Sequence, residues 1–339
     1  MGGRILLICT PSLKESAAAR TVRDSLGDAL IAEFNGVAPH VPREAVEAAR
    51  SLAAEKQVDV VVALGGGSAI GVGKSVAATP SPLVGEGRGG GLPLIAIPTT
   101  YAGSEMTPVF GVTDRTEGRK RVQRDPAALP QLAIYDPELT LDLSPELTAS
   151  TGMNALAHCV EAVYAKDVTP DVERAALDGV GRITRSMPVC VASGRDIDAR
   201  EEMLRGAYLA GLSIANASMG LHHGLCHVLG GRTGVAHGVL NAIVLPHVMR
   251  FNADAVPDAM SAIAGAMDAG ARTRDLQAAP RFTAALLESL PVPKRLRDAG
   301  VPSDLLEPVA AEAVASATVK ANPKPVSEAD ILPLLREAW

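Results

Sequence analysis

The chain has 339 residues, 47% hydrophobic and 21% charged, with a formal net charge of −6 and only 3% aromatic side chains. That length suits about two domains with substantial cores, and the acidic, aromatic-poor balance excludes the basic grooves and stacking platforms of a nucleic-acid binder. No polybasic cluster marks a membrane surface, Ile5–Cys9 is too short for a signal sequence or span, and Cys9, Cys159, Cys190 and Cys226 lack C-x-x-C spacing, which fits a reducing cytoplasm.

The first hundred residues alternate strand-like and helix-like runs. Arg4–Cys9 (RILLIC) reads as a buried strand, Ser16–Leu26 as a helix, and Leu30–Phe34 as a second strand. A helix over Arg43–Glu55 leads to Val58–Leu64 (VDVVVAL), a β-branched run without polar alternation, as in a parallel strand covered on both faces. Gly65–Ser68 turns into a helix running through Lys74, Gly85–Gly91 (GEGRGGG) reads as a mobile surface loop, and Pro93–Ile97 is a further strand. This β-α-β rhythm predicts a doubly wound α/β domain with a parallel sheet.

From about Ser144 the pattern changes to long Ala/Leu-rich amphipathic stretches: Gly152–Ala165, Val172–Arg185, Ala199–Met219, Gly224–Leu229, Val256–Gly270 and Asp275–Leu290. They predict an all-α second domain, with the joint in the proline-flanked Asp136–Pro145. The expected division is residues 1–145 as a dinucleotide-binding α/β domain and 146–339 as a helical substrate- or metal-type domain, with a cleft between them.

Three constellations carry chemistry. Gly65, Gly66, Gly67 and Ser68 follow the buried strand and open a helix, so bare backbone N–H groups face outward as an anion site. Neither the Walker pattern, which needs a glycine at Ser68, nor G-x-G-x-x-G, which needs one at Ile70, is matched, so the nucleotide stays unspecified. A second polar loop, Pro98–Glu105 with Thr99, Thr100, Tyr101 and Ser104, follows the next strand and would flank the same ligand. The third is a set of histidines, six of the seven lying between His158 and His247. Asn154 and His158 stand at i and i+4, His223 and His227 repeat the spacing, and His237 follows beyond a glycine-containing turn, the outline of a mononuclear metal site. Asn154 offers that outline a neutral amide where a carboxylate would balance the ion's charge.

These residues together resemble the iron-containing alcohol dehydrogenase family, within the dehydroquinate synthase-like superfamily. GGGSAIGVGK is similar to its pyrophosphate loop, GMNALAHCVEA to its first metal helix, and LHHGLCHVLGG with VAHGVLNAIVLPHVMRFN to its second half-site. Within the family the likeness is nearest to maleylacetate reductases, on Pro98–Thr107 (PTTYAGSEMT), Arg119–Pro130 (RKRVQRDPAALP), Ala133–Leu141 (AIYDPELTL) and Asn322–Val326 (NPKPV). The resemblance implies that Gly65–Ser68 cradle the pyrophosphate of NADH or NADPH, with Thr99, Thr100 and Ser104 lining the coenzyme and Lys74 an ordinary helix residue. It matches Asn154, His158, His223 and His237 to the metal-ligand set and places His227 beside the nicotinamide.

Several positions depart from the family pattern. Asn154 replaces the family's aspartate, as in maleylacetate reductases, which are described as working without bound metal. Gly224 and HGVLNA instead resemble the alcohol dehydrogenases, Pro11 stands where NAD-specific relatives carry an acid, and no leading β-hairpin precedes Arg4. The implied activity is reduction of maleylacetate, or a similar unsaturated oxo-diacid, to 3-oxoadipate by a cytoplasmic homodimer without metal. His223, His237 and His158 would then donate hydrogen bonds or act as imidazolium, His227 would relay a proton, and Tyr101, His222 and Asn154 would contact the substrate. The alternatives are a metal-dependent alcohol dehydrogenase, a non-redox lyase or cyclase, and a non-catalytic relative.

Overall fold

The structure is a computed structural model and describes residues 3–78, 91–114, 119–268 and 273–339; the expected loop at Gly85–Gly91 lies, apart from Gly91, outside them. The chain divides into two compact units, Met1–Thr140 and Leu141–Trp339.

The first unit runs β1 (Ile5–Cys9), α1 (Ala17–Leu26), β2 (Leu30–Phe34), α2 (Arg43–Glu55), β3 (Val60–Gly65), α3 (Gly67–Ala77), β4 (Leu94–Pro98), β5 (Val109–Asp114), β6 (Arg119–Arg124) and β7 (Leu132–Ala133). Five strands form a parallel sheet in the order β2-β1-β3-β4-β7. Alternate side chains of one strand serve opposite faces. Leu6, Ile8, Val61 and Ala63 pack with Val46, Ala49, Ile70 and Val72, whereas Leu7, Cys9, Val62 and Leu64 pack with Ala19 and Val22. Both faces are therefore covered, which is why VDVVVAL shows no polar alternation. After β2 the chain returns past β1 to lay down β3, so the carboxyl ends of β1 and β3 bound a switch point, where open α/β sheets take ligands.

The antiparallel ribbon β5–β6 was not foreseen from the sequence. Its second strand reads RKRVQR, with Val122 67% exposed, so no apolar face announces it.

The second unit is helical: α4 (Pro145–Val163), α5 (Pro170–Ala192), α6 (Ile197–Asn216), α7 (Leu221–Thr233), α8 (His237–Asn252), α9 (Pro257–Met267), α10 (Ala278–Ser289), α11 (Leu306–Ala315), α12 (Ala317–Lys320) and α13 (Glu328–Ala338). Ser144, Thr169 and Asp196 cap α4, α5 and α6 through their side-chain oxygens, and proline opens α4 and α5. Inside, the fully buried Arg200 ties α6 to α4, donating to Thr148 Oγ1 at 2.9 Å and to the Gly194 carbonyl at 2.9 Å. The expected short helix Gly224–Leu229 is longer at both ends, and His237 begins a helix of its own. Among the described residues no helix is long and apolar enough to cross a membrane.

Candidate active site

In the α/β unit the glycine loop stands at the carboxyl end of β3. Gly65 has φ +143°, and a Cβ there would lie 2.0 Å from Thr10 Oγ1; one on Gly66 would lie 2.9 Å from Thr100 Cγ2. Thr10 follows β1 and Thr100 follows β4, so the loop is squeezed between the neighbouring strand ends and only glycine fits. Helix α3 then starts without a side-chain cap, its first backbone bond running from Ile70 N–H to the Gly66 carbonyl. The N–H groups of a helix's first turn have no intrahelical acceptor, and such donors are what an anion requires. Thr99 is buried and donates its N–H to the Gly65 carbonyl at 3.1 Å. The two loops expected to flank one ligand are thus in contact.

Lys74 has a job the sequence did not reveal. Fully buried, it leaves α3 for the turn after β4, donating from Nζ to the Ser104 carbonyl, the Val109 carbonyl (2.9 Å) and Thr107 Oγ1 (3.3 Å). Burial pushes the amine down to about 8, against the pull of nearby Glu105. Glu105 is buried too; burial raises its carboxyl, and Tyr135 donates its hydroxyl to it at 2.8 Å. Ser104 is therefore held through its backbone. Tyr101, expected at the substrate, is fully buried within this chain.

In the helical unit α4 presents Asn154, His158 and Glu161 on one face, at i, i+4 and i+7. Facing them, α7 carries His222, His223 and His227, and His237 is the first residue of α8. The rings of His158 and His223 stack at 4.7 Å between centroids; His223 lies 6.0 Å from His237, and His237 stacks on His227 at 5.5 Å. The cluster grades outward: His158 and His223 are buried, His237 is half-buried and His227 exposed.

What holds α7 in place comes from far along the chain. Its N-cap, Gly220, has no side chain to offer. Leu221 N–H instead donates to Asn322 Oδ1 (3.2 Å), and the His222 and His223 N–H groups donate to Glu161 (3.0 and 3.2 Å). Asn322 is fixed by a reciprocal amide pair with Asn252, which explains the NPKPV segment as a tertiary cap. His223 Nδ1 also meets Glu161 Oε2 at 2.6 Å.

Burial lowers the imidazoles: His158 well below its usual value, His222 to about 4 and His223 to about 3, with neighbouring histidines adding to the effect. Burial thus favours the neutral rings in the chain itself, so imidazolium at His158 or His223 would require the charge of a bound anion. His222 is likewise committed elsewhere, its Nε2 lying 3.1 Å from the Asn241 carbonyl, so it has no hydrogen left for a substrate carboxylate.

Within the histidine cluster, His158 Nδ1 and His223 Nε2 are buried and have no hydrogen-bond partner among the described residues. Orphaned polar atoms inside a histidine cluster mark a place prepared for another group. Neutral imidazoles suit Fe²⁺ or Zn²⁺, and Glu161 behind His223 forms the carboxylate–histidine pair typical of metal ligands. The donor set thus fits a divalent ion, although Asn154 contributes no charge. Among the described residues Glu161, His222 and His223 also group with ligand atoms within 4.8 Å, but both Glu161 oxygens are occupied by N–H donors.

Family comparisons agree with both halves. The "Iron-containing alcohol dehydrogenase" family matches residues 1–137, and the "Fe-containing alcohol dehydrogenase family, C-terminal" matches residues 148–339. The chain belongs to the iron-containing alcohol dehydrogenase family. It is an NAD(P)-dependent oxidoreductase. It is 40% identical to maleylacetate reductase 2 of Cupriavidus pinatubonensis, over 99% of this chain and 88% of that one. The crystal structure of maleylacetate reductase from Agrobacterium tumefaciens matches with a TM-score of 0.86 at 34% identity, covering 99% and 89% of the two chains. That of a 1,3-propanediol oxidoreductase matches with a TM-score of 0.91 at 31% identity, covering 99% and 92%.

Within the iron-containing alcohol dehydrogenase family, Gly224 of this chain has a packing reason: a Cβ there would lie 2.4 Å from Val319 Cγ2 on α12. Of the residues that sequence reasoning missed, Glu161 had a visible signal, sharing the face of Asn154 and His158. Lys74, Glu105 and Asn322 had none, since their partners are distant in sequence.

Proposed function

We propose that this chain reduces maleylacetate to 3-oxoadipate with NADH or NADPH, in the breakdown of aromatic compounds. The observation that carries the reading is Asn154 among three histidines, on a chain 40% identical to a maleylacetate reductase. Residues 1–145 would hold the coenzyme, through Gly65, Gly66, Gly67, Ser68, Thr99, Thr100 and Ser104, and residues 146–339 the substrate. The coenzyme supplies hydride to the carbon β to the substrate ketone.

Charge then develops on the enolate oxygen, which needs a donor aimed at it. Asn154 can donate from its amide, which an aspartate in its place could not. His237 and His227, the less buried members of the cluster, would pass a proton toward the α carbon. A metal held by His158, His223 and His237 would supply Lewis acidity to the same oxygen. In this reading the reaction needs no metal, because the Asn154 amide supplies a donor to that oxygen. The protein works in the cytoplasm as a homodimer.

The test is oxidation of NADH and NADPH by chelator-treated protein given maleylacetate. Retained turnover supports the proposal. A second reading, a metal-dependent alcohol dehydrogenase, is favoured by the orphaned nitrogens of His158 and His223. It predicts no turnover after chelation, and activity on a simple aldehyde restored by Fe²⁺ or Zn²⁺.

A further inference from the structure

His222 and His223 are neighbours whose hydrogen-bond partners leave each ring one tautomer. The Asn241 carbonyl, 3.1 Å from His222 Nε2, can only accept, so His222 carries its proton there and presents a lone pair at Nδ1. His223 Nδ1 stands 3.4 Å from that lone pair. The same nitrogen is 2.6 Å from Glu161 Oε2. Glu161 already accepts the backbone N–H groups of His222 and His223 at the start of α7; burial raises its carboxyl, while these donors and the helix dipole favour the anion. Two acceptors thus converge on His223 Nδ1, which must hold the proton. Its Nε2 is left with a lone pair, buried and without a partner among the described residues, on a ring that stacks on His158 and lies 6.0 Å from His237.

We infer that Glu161 is a positioning residue of the reaction centre: it caps α7 and fixes His223 as the Nδ1–H tautomer, with an acceptor nitrogen turned into the cluster. Such a nitrogen takes a cation or a donor hydrogen, and it cannot stabilise an oxyanion. This positioning role deepens the proposed function and rests on the histidine cluster being its centre.

The test uses the full chain labelled with ¹⁵N-histidine, the His223 signals being identified by their loss in His223→Gln. Long-range proton–nitrogen spectra of the wild type should show His223 protonated on Nδ1. In Glu161→Gln the amide matches carboxylate shape but must turn its nitrogen toward one of these donors. It should shift the His223 signals and lower kcat 10–100-fold, with the KM for NADH within about twofold. Wild-type His223 protonated on Nε2 overturns the inference, as does a Glu161→Gln enzyme with unchanged kcat. The tautomer is read without substrate, so a failure of maleylacetate turnover alone would sink the proposed function and leave this inference standing.

Discussion

Replacing Lys74 by methionine keeps the side chain's length and removes the ammonium that ties α3 to the turn at Ser104–Val109. Three hydrogen bonds from a charged donor are lost, each contributing ~1.5–3 kcal/mol. Against this, the variant no longer buries a charge. A fall from 10.5 to about 8 corresponds to roughly 3 kcal/mol disfavouring the charged amine at neutral pH. The balance is a net loss of about 3 kcal/mol. The pH dependence carries a definite sign. Between pH 8 and the ordinary lysine value the unfolded wild type binds more protons than the folded one, so wild-type stability rises with pH there. The variant lacks this contribution, and its deficit should widen by about 2 kcal/mol from pH 7.5 to 9.5. Urea unfolding followed by circular dichroism at the two values measures it. A variant as stable as wild type at pH 7.5, or a deficit that narrows as pH rises, would refute the reasoning.

The glycine loop offers a contrast between neighbours. Gly65→Ala meets both the strained φ and Thr10, and should destabilise the protein by at least the ~1–3 kcal/mol of backbone strain, visible as a lowered melting temperature. Gly67→Ala has nothing nearer than 3.8 Å and should melt like wild type, so a raised KM for NADH in that variant isolates the anion contact of the loop. Gly224→Ala drives a methyl into Val319 and should cost ~1–3 kcal/mol by thermal unfolding; the pair Gly224→Ala with Val319→Ala should recover part of that loss, and simple additivity would argue against the contact.

Local pattern made much of this protein legible. VDVVVAL declares a strand covered on both faces, three glycines before a helix declare an anion loop, and the spacings of Asn154, His158, His223 and His227 place side chains on helical faces. Each is a statement about residues a few positions apart, which periodicity encodes directly. Partner identity is not encoded that way. Lys74 looked like a helix residue until burial and three acceptors around the turn gave it an anchor's role. Glu161 looked like a polar position on a buried helix, yet it caps a helix some sixty residues away, and Asn322 does the same across 101 residues. The charged strand Arg119–Arg124 shows no apolar alternation and exists through pairing with β5. Periodicity settles which residue types stand on which faces. Folding settles which of their polar atoms are consumed by neighbours and which, like His223 Nε2, are left for chemistry, because hydrogen bonds and desolvation act between segments that sequence distance does not connect.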